Sequence, residues 1–415
     1  MGQILERAEQ CWAGGVEPRE FWKATGATEE IAPGVFFVHA FANVTVVRAG
    51  RGLVLVDTAN YVGRDRTFAA VRAIDPGPVH AAIYTHGHAD HAFGLPPFLA
   101  EAAEKGWPRP QIVGHRSVAA RFDRYRATTG YNGLINARQF AIAASWPTEY
   151  DYPDTVYDQA LRLETDDATW VWWPERRILW TGDLFIWVAP NAGNPQKVQR
   201  YAAEWAAALR EMAARGAELL IPGHGMPILG AERVRQALGD TAEWLEALVS
   251  QTLALMNAGA TLEEVLCSVK PPAHLAERRY LQPVYDEPDY VVRNLWRLYG
   301  GWYDGVPSHL KPAPEAELGR EILTLAGGID GLIARARALA AEGRLALAAH
   351  LIDWAVAAEP GHREAHAARA QIYEQRAEET RALMTRGIFS ATARESAAKS
   401  RAPLSPQAPQ GRGPG

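Results

Sequence analysis

Thr85-His86-Gly87-His88-Ala89-Asp90-His91 follows directly on the apolar run Ala81-Ala82-Ile83-Tyr84. Three imidazoles and one carboxylate within six residues exceed what solvent exposure alone would call for. Neutral imidazole nitrogens and a carboxylate oxygen are donors that suit Zn²⁺ and its first-row neighbours. The preceding run reads as a strand, and histidines alternating as a chain leaves a strand can face one point. His86 and His88 are therefore expected to reach one ion, and Asp90 and His91, one turn on, a second. The bland alternative is a polar strand-end loop with chance histidines, and the strand context weighs against it.

These seven residues match a Thr-His-x-His-x-Asp-His pattern, and in this the chain resembles the metallo-β-lactamase superfamily. The resemblance implies an α/β fold, an αββα sandwich, usually with two metal ions, and three further ligands downstream in a set order. Leu161 to Pro174, aligned on its strand and terminal proline, resembles the superfamily's next ligand segment, with Glu164 where a histidine normally stands. Asp166 and Asp167 are rival assignments two and three residues further on. A carboxylate there keeps the coordination number and makes the site harder and more anionic, which favours Zn²⁺ or Mn²⁺. Ile178-Leu179-Trp180-Thr181-Gly182-Asp183 supplies a strand and an acid at the bridging position, and Ile221-Pro222-Gly223-His224-Gly225 the last histidine. The implied ligand set is His86, His88, Glu164 and Asp183 on ion one, and Asp90, His91, Asp183 and His224 on ion two. Asp90 and Asp183 are the expected catalytic acids. Zinc is the expected metal, two ions per chain, with manganese or iron as substitutes, and a hydroxide between the ions is the expected nucleophile.

Other polar residues group around this frame. Asp57 ends the strand Gly52 to Thr58 and either supports the metal site from behind or caps a helix. Lys197 and Arg200 precede a helix expected from about Tyr201 to Arg215, a place suited to an anionic group; a solvated pair of charges is the alternative. The stretch from Thr128 to Phe140 reads as a polar loop, and within it Tyr131 and Asn132 are candidate substrate contacts.

The 415 residues are 48% hydrophobic, enough for a large core and two domains. A net charge of -5 argues against an electrostatic nucleic-acid binder. Cys11 and Cys267 form neither a disulfide framework nor a thiolate site. Met1 to Glu6 lacks the charged and apolar regions of a secretory signal. No apolar run approaches the roughly 20 residues of a membrane span. A cytoplasmic location is the expectation.

Past Gly230 the chain becomes rich in Ala, Leu, Glu and Arg at helical spacing, and 346–358 with 363–376 resembles one tetratricopeptide hairpin. The expected division is an arm over 1–30, a catalytic domain over 31–230, an all-α, TPR-like domain over 231–396 and a disordered tail over 397–415. Arg293-Asn294-Leu295-Trp296-Arg297-Leu298-Tyr299-Gly300-Gly301-Trp302-Tyr303-Asp304-Gly305 resembles the alkylsulfatase dimerisation domain, as do Leu325 to Gly328, His350 to Trp354 and Arg386 to Phe389. Together the two resemblances point to the zinc-dependent class III alkylsulfatases and imply a homodimer. Glu164 agrees with that family, and Arg200 ahead of Trp205 fits its arginine after the bridging acid. Three departures from it are expected to matter: the bridging acid is Asp183 rather than Glu, Leu184 to Asn191 holds no histidine, and a short form without the sterol-carrier-like domain is the expectation. A short-form hydrolase of anionic alkyl sulfate esters is the expected function. The alternatives are a hydrolase of another ester, lactone or thioester, and a non-catalytic helical scaffold with a vestigial sandwich.

Overall fold

The structure, a computed structural model, describes residues 2–21, 23–157 and 169–401. These form two compact units: one of the chain through Ile135 and Ala144–Asp304, the other of Asn136–Ala143 and the chain from Gly305 onward.

In the first unit, helix α1 (Gln3–Ala13) precedes a seven-stranded sheet. Its strands run in sequence order: β1 (Thr28–Ala32), β2 (Val35–Val38), β3 (Val44–Ala49), β4 (Gly52–Val56), β5 (Val79–Ile83), β6 (Gln111–His115) and β7 (Thr155–Tyr157). The first four are an antiparallel meander, and β4 to β7 are parallel. Helices α2 (Arg64–Ile74), α3 (Ala89–Ala92), α4 (Pro96–Glu104) and α5 (Arg116–Ala127) fall between those parallel strands in sequence, as does α6 (Thr129–Phe140), whose residues from Asn136 on belong to the second unit. A second sheet, ordered β11-β10-β9-β8, joins β8 (Val171–Trp173), β9 (Ile178–Gly182), β10 (Leu219–Pro222) and β11 (Ile228–Leu229). Its parallel pair β9/β10 is connected through α7 (Ala202–Ala214), and α8 (Ala231–Asn257), α9 (Leu262–Ser268) and α10 (Pro288–Gly300) follow.

Side-chain alternation explains the layers. Val44, Val46, Leu53 and Leu55 face a core with Val71 of α2, Phe98 of α4 and Phe122 of α5. Val47 and Val56, the neighbours that point the other way, share a core with Leu179, Trp180, Leu220, Ile221 and Leu209 of α7. All five residues of β9 are buried, as in a strand covered on both faces. This is the expected αββα sandwich. The ends of β4, β5, β9 and β10 carry Asp57, the His86 to His91 stretch, Asp183 and His224.

Helix α6 is a correction to the sequence reading, which expected a loop over 128–140. Asn132, Ile135 and Gln139 recur at helical spacing and are buried, and the Asn132 amide donates to the Thr128 carbonyl at 3.0 Å. Burial of that face outweighs the propensity cost of Gly130 and Gly133.

The second unit contains α11 (Glu315–Leu325), α12 (Ile329–Ala341), α13 (Leu345–Ala358), α14 (Arg363–Glu379) and α15 (Leu383–Arg401). Small residues let these helices approach closely: Ala336, Ala348, Ala349, Ala355, Ala365 and Ala368 are buried in one core with Ile333 and Ile352, and a Cβ on Gly319 would overlap the Trp354 carbonyl. Among the described residues no helix is long and apolar enough to cross a membrane.

Candidate metal centre

The turn after β5 is held by Asp57, whose Oδ1 accepts from the Thr85 amide and whose Oδ2 accepts from the Thr85 hydroxyl, both at 2.8 Å. Having given its proton to Asp57, that hydroxyl faces His86 Nδ1 at 3.0 Å as an acceptor. Asp57 Oδ2 also lies 2.7 Å from His91 Nδ1. The Phe41 carbonyl bonds His224 Nδ1. In each case an oxygen acceptor fixes a proton on Nδ1, so that Nε2 is the nitrogen able to give its lone pair to a cation. His86, His91 and His224 thus present three Nε2 atoms to one place.

Asp183 meets them there. Its Oδ2 is 3.5 Å from His86 Nε2 and 3.8 Å from His88 Nδ1. Its Oδ1 is 3.1 Å from His91 Nε2 and 3.3 Å from His224 Nε2. Asp90 Oδ2 closes the other side, 3.8 Å from His91 Nε2 and 3.5 Å from His224 Nε2. Two ligand sets result, His86/His91/Asp183 and Asp90/His91/His224, each with its donor atoms within 4.8 Å of one another. His86 and His88 converge too, Nε2 to Nδ1 at 2.6 Å. Glycines make the approach possible: a Cβ on Gly223 would overlap Asp183 Oδ1 and the Gly182 backbone.

The cluster fits a metal ion on its own chemistry. Ligand atoms about 2.0–2.2 Å from a tetrahedral zinc stand roughly 3.3 Å apart, and the contacts to Asp183 bracket that value. His91 Nε2 and Asp183 Oδ1 are buried and neither makes a well-formed hydrogen bond, which is costly unless a cation satisfies both. Each Nδ1 is held by an oxygen behind it, the usual support of a ligating histidine.

The electrostatics agree. Burial would lower the pKa of His91, yet Asp183, Asp57 and Asp90 around it raise it well above the ordinary histidine range. His224 is likewise raised, by Asp183 and Asp90 against burial. Asp183 is held well below the usual carboxylate range by His91, His224 and His86, although burial opposes this. The pocket is built to hold positive charge. His88 is the exception: burial, Arg121 and His86 push its pKa well down.

Cations stand at the rim. Arg200 Nη2 lies 3.4 Å from His88 Nε2. Lys197 is half-buried, and burial together with Arg200 lowers its pKa to about 8. Both charges belong to the irregular chain leading into α7. Tyr131 is 59% exposed on α6, and the Asn132 amide engages the carbonyl and hydroxyl of Thr128. Glu164, with its rivals Asp166 and Asp167, lies outside the described residues.

The sequence reading left Asp57 between two roles, and the contacts to Thr85 and His91 settle it as a support of the cluster. It missed Phe41, which acts through a main-chain carbonyl and so has no side-chain signature. It also missed Arg121, a buried arginine of α5 whose charge reaches His88.

Comparison with known proteins places these features in a family context. Residues 39–224 match the Metallo-beta-lactamase superfamily, and residues 261–399 match Alkyl sulfatase dimerisation. A linear primary-alkylsulfatase of Pseudomonas is 28% identical over 75% of this chain and 66% of its own. An (R)-specific secondary-alkylsulfatase of Pseudomonas is 26% identical over 88% of this chain and 62% of its own. The chain thus spans just under two thirds of the length of these relatives. The solved structure of the stereoselective inverting sec-alkylsulfatase Pisa1 from Pseudomonas shares the fold, with a TM-score of 0.78 at 23% identity over 89% of this chain and 65% of that one.

Proposed function

The chain carries a metallo-β-lactamase superfamily domain joined to an alkyl sulfatase dimerisation domain, and from that premise we propose that it is a metal-dependent hydrolase of alkyl sulfate esters. The observation that carries the proposal is the pairing of a buried His/Asp cluster with cations at its rim, Arg200 3.4 Å from His88 and Lys197 close by. A sulfate monoester presents one negative charge over three oxygens, and fixed cations beside the reacting centre orient it and neutralise it.

The ligands are proposed to be His86, His88, Asp90, His91, Asp183 and His224, with Glu164 completing the set, and zinc in two sites is the favoured metal. When bound, such ions polarise the ester oxygen and make a water acidic enough to ionise near neutral pH. The protein's own part is positional. Asp57, the Thr85 hydroxyl and the Phe41 carbonyl keep three imidazoles in the tautomer that offers Nε2. Asp183 and Asp90 fix the donor geometry and supply the negative charge that attracts cations. Arg200 and Lys197 seat the sulfate group. Tyr131, an exposed ring on α6, and Asn132 beside it are the proposed contacts for the rest of the substrate.

We further assign residues 31–230 to catalysis and 231–396 to pairing of two copies. Tyr299, Trp302 and Leu325 in the matched segment expose large apolar side chains, which an isolated chain would not favour. Light scattering at micromolar concentration is expected to give twice the chain mass; the mass of one chain would remove the assignment.

The deciding experiment is sulfate release from short and long alkyl sulfates by zinc-reconstituted protein, with Asp183→Ala as the blank. Release that vanishes in the variant is expected. Metal-loaded protein that frees no sulfate would overturn the substrate class and turn the search to carboxylic and phosphoric esters. Running the reaction in ¹⁸O-water identifies the bond broken: label in the alcohol marks C–O cleavage, and label in the sulfate marks S–O cleavage.

A further inference from the structure

Arg200 and Lys197 lie on a segment without helix or strand, from Asp183 to Tyr201. Irregular chain at such a site needs an external scaffold if it is to hold a side chain in place. Here the scaffold is 282–294, which falls inside the stretch matched to alkyl sulfatase dimerisation. The Ala189 amide donates to the Gln282 carbonyl at 3.1 Å. Ile186 and Val188 pack against Val284. Gly193 sits so close to the Tyr290 carbonyl that a Cβ would overlap it.

The tightest point is Asn294, half-buried on α10. Its Nδ2 donates to the Ala192 carbonyl at 3.0 Å and to the Arg200 carbonyl at 2.7 Å, so a single amide ties the segment at two points eight residues apart. Its own main-chain carbonyl accepts from Gln199 Nε2 at 3.0 Å, and that same nitrogen donates to the Arg200 carbonyl at 2.9 Å. The backbone of Arg200 is thereby fixed by two donors, while its guanidinium stands 3.4 Å from His88.

We infer that Asn294 is a positioning residue for the anion seat, holding the Ala192 to Arg200 segment so that Arg200 stands beside the metal cluster. This rests on the reading of Arg200 as the group that seats the sulfate. Both partners of the amide are carbonyls, so the position requires a side chain that donates twice. Aspartate has the same shape and donates nothing, and it sets a charged oxygen against two carbonyls. A residue in a segment named for pairing therefore serves substrate binding.

The test compares Asn294→Asp and Asn294→Ala with the parent full-length chain, each with its metal content measured. An interaction made equally with substrate and transition state shows in KM, and misplacement by about 1 Å can be costly. KM for an alkyl sulfate is expected to rise on the order of tenfold or more, with a smaller fall in kcat and unchanged metal content. The same substitutions in an Arg200→Ala background are expected to cost almost nothing further, because the group they position is gone. Equal losses in both backgrounds would overturn the inference. If the parent protein releases no sulfate, the functional reading fails, and amide hydrogen exchange then decides the positioning role. Faster exchange confined to 192–200 in Asn294→Asp supports the role, and unchanged exchange there overturns it.

Discussion

Asp57 Oδ2 lies 2.7 Å from His91 Nδ1, at a backbone position with φ of 58°. One carboxylate at the end of β4 thus sets the tautomer of a central histidine and, through Thr85, the path of the chain that carries the others. Replacing it with asparagine keeps the shape, and asparagine tolerates positive φ. An amide has one oxygen, so its NH2 must face either the Thr85 amide, which Oδ1 serves, or the Thr85 hydroxyl and His91, which share Oδ2. Asp57→Asn is expected to weaken metal binding about 10- to 100-fold, measured by competition with a chromophoric chelator, with secondary structure intact by circular dichroism.

Metal removal should show in stability as well as in activity. Without a metal the buried carboxylates are neutralised only by protonated imidazoles, which bind them less strongly than a divalent cation shared by the whole cluster. Chelation is expected to lower the melting temperature, and melts in buffered zinc should recover it. At saturating affinity each tenfold rise in free metal adds about 1.4 kcal/mol per site. A melting curve indifferent to free zinc would contradict the assigned ligand set.

His39 predicts an acid limb of stability. It is wholly buried, and burial, aided by Arg7, lowers its pKa from 6.5 to about 4. Between those values the unfolded chain takes a proton that the folded chain resists. The contribution is therefore complete above about pH 6.5 and lost as pH falls toward 4, up to about 3 kcal/mol. Urea unfolding at pH 7 and pH 5 should show this difference, and His39→Gln should flatten it.

If Lys197 seats the sulfate as proposed, it sets an alkaline limit on substrate binding. With a pKa near 8 its ammonium is present below that pH and lost above it, and bound cations would shift it lower still. kcat/KM for an alkyl sulfate is expected to fall as pH rises through this value. In Lys197→Arg the fall should disappear, because guanidinium stays charged. A profile identical in both proteins would remove Lys197 from the anion seat.

Gly94 tests the packing behind the ligand turn. A Cβ there would overlap the Thr58 carbonyl, while the Thr58 amide bonds the His91 carbonyl at 2.7 Å. Gly94→Ala is expected to destabilise by about 3 kcal/mol or more, read as a lowered urea midpoint.

Much of this protein was legible in its sequence. His86, His88, Asp90 and His91 fall within six residues, and Asp183 and His224 each follow an apolar strand, so short-range order announces the candidate ligands. Alternation and helical spacing likewise announce the sandwich and the helices after it. The reading failed over 128–140, where local composition favoured a loop and burial of Asn132, Ile135 and Gln139 made α6. Phe41 acts through its carbonyl, and Asn294 grips carbonyls about a hundred residues away. Main-chain groups are the same at every residue, so their partners leave no mark on the sequence. The ligand chemistry and the layered fold came from the order of side chains. The tautomers, and the seat of Arg200, came only from which backbone oxygens and carboxylates the tertiary structure brings within reach.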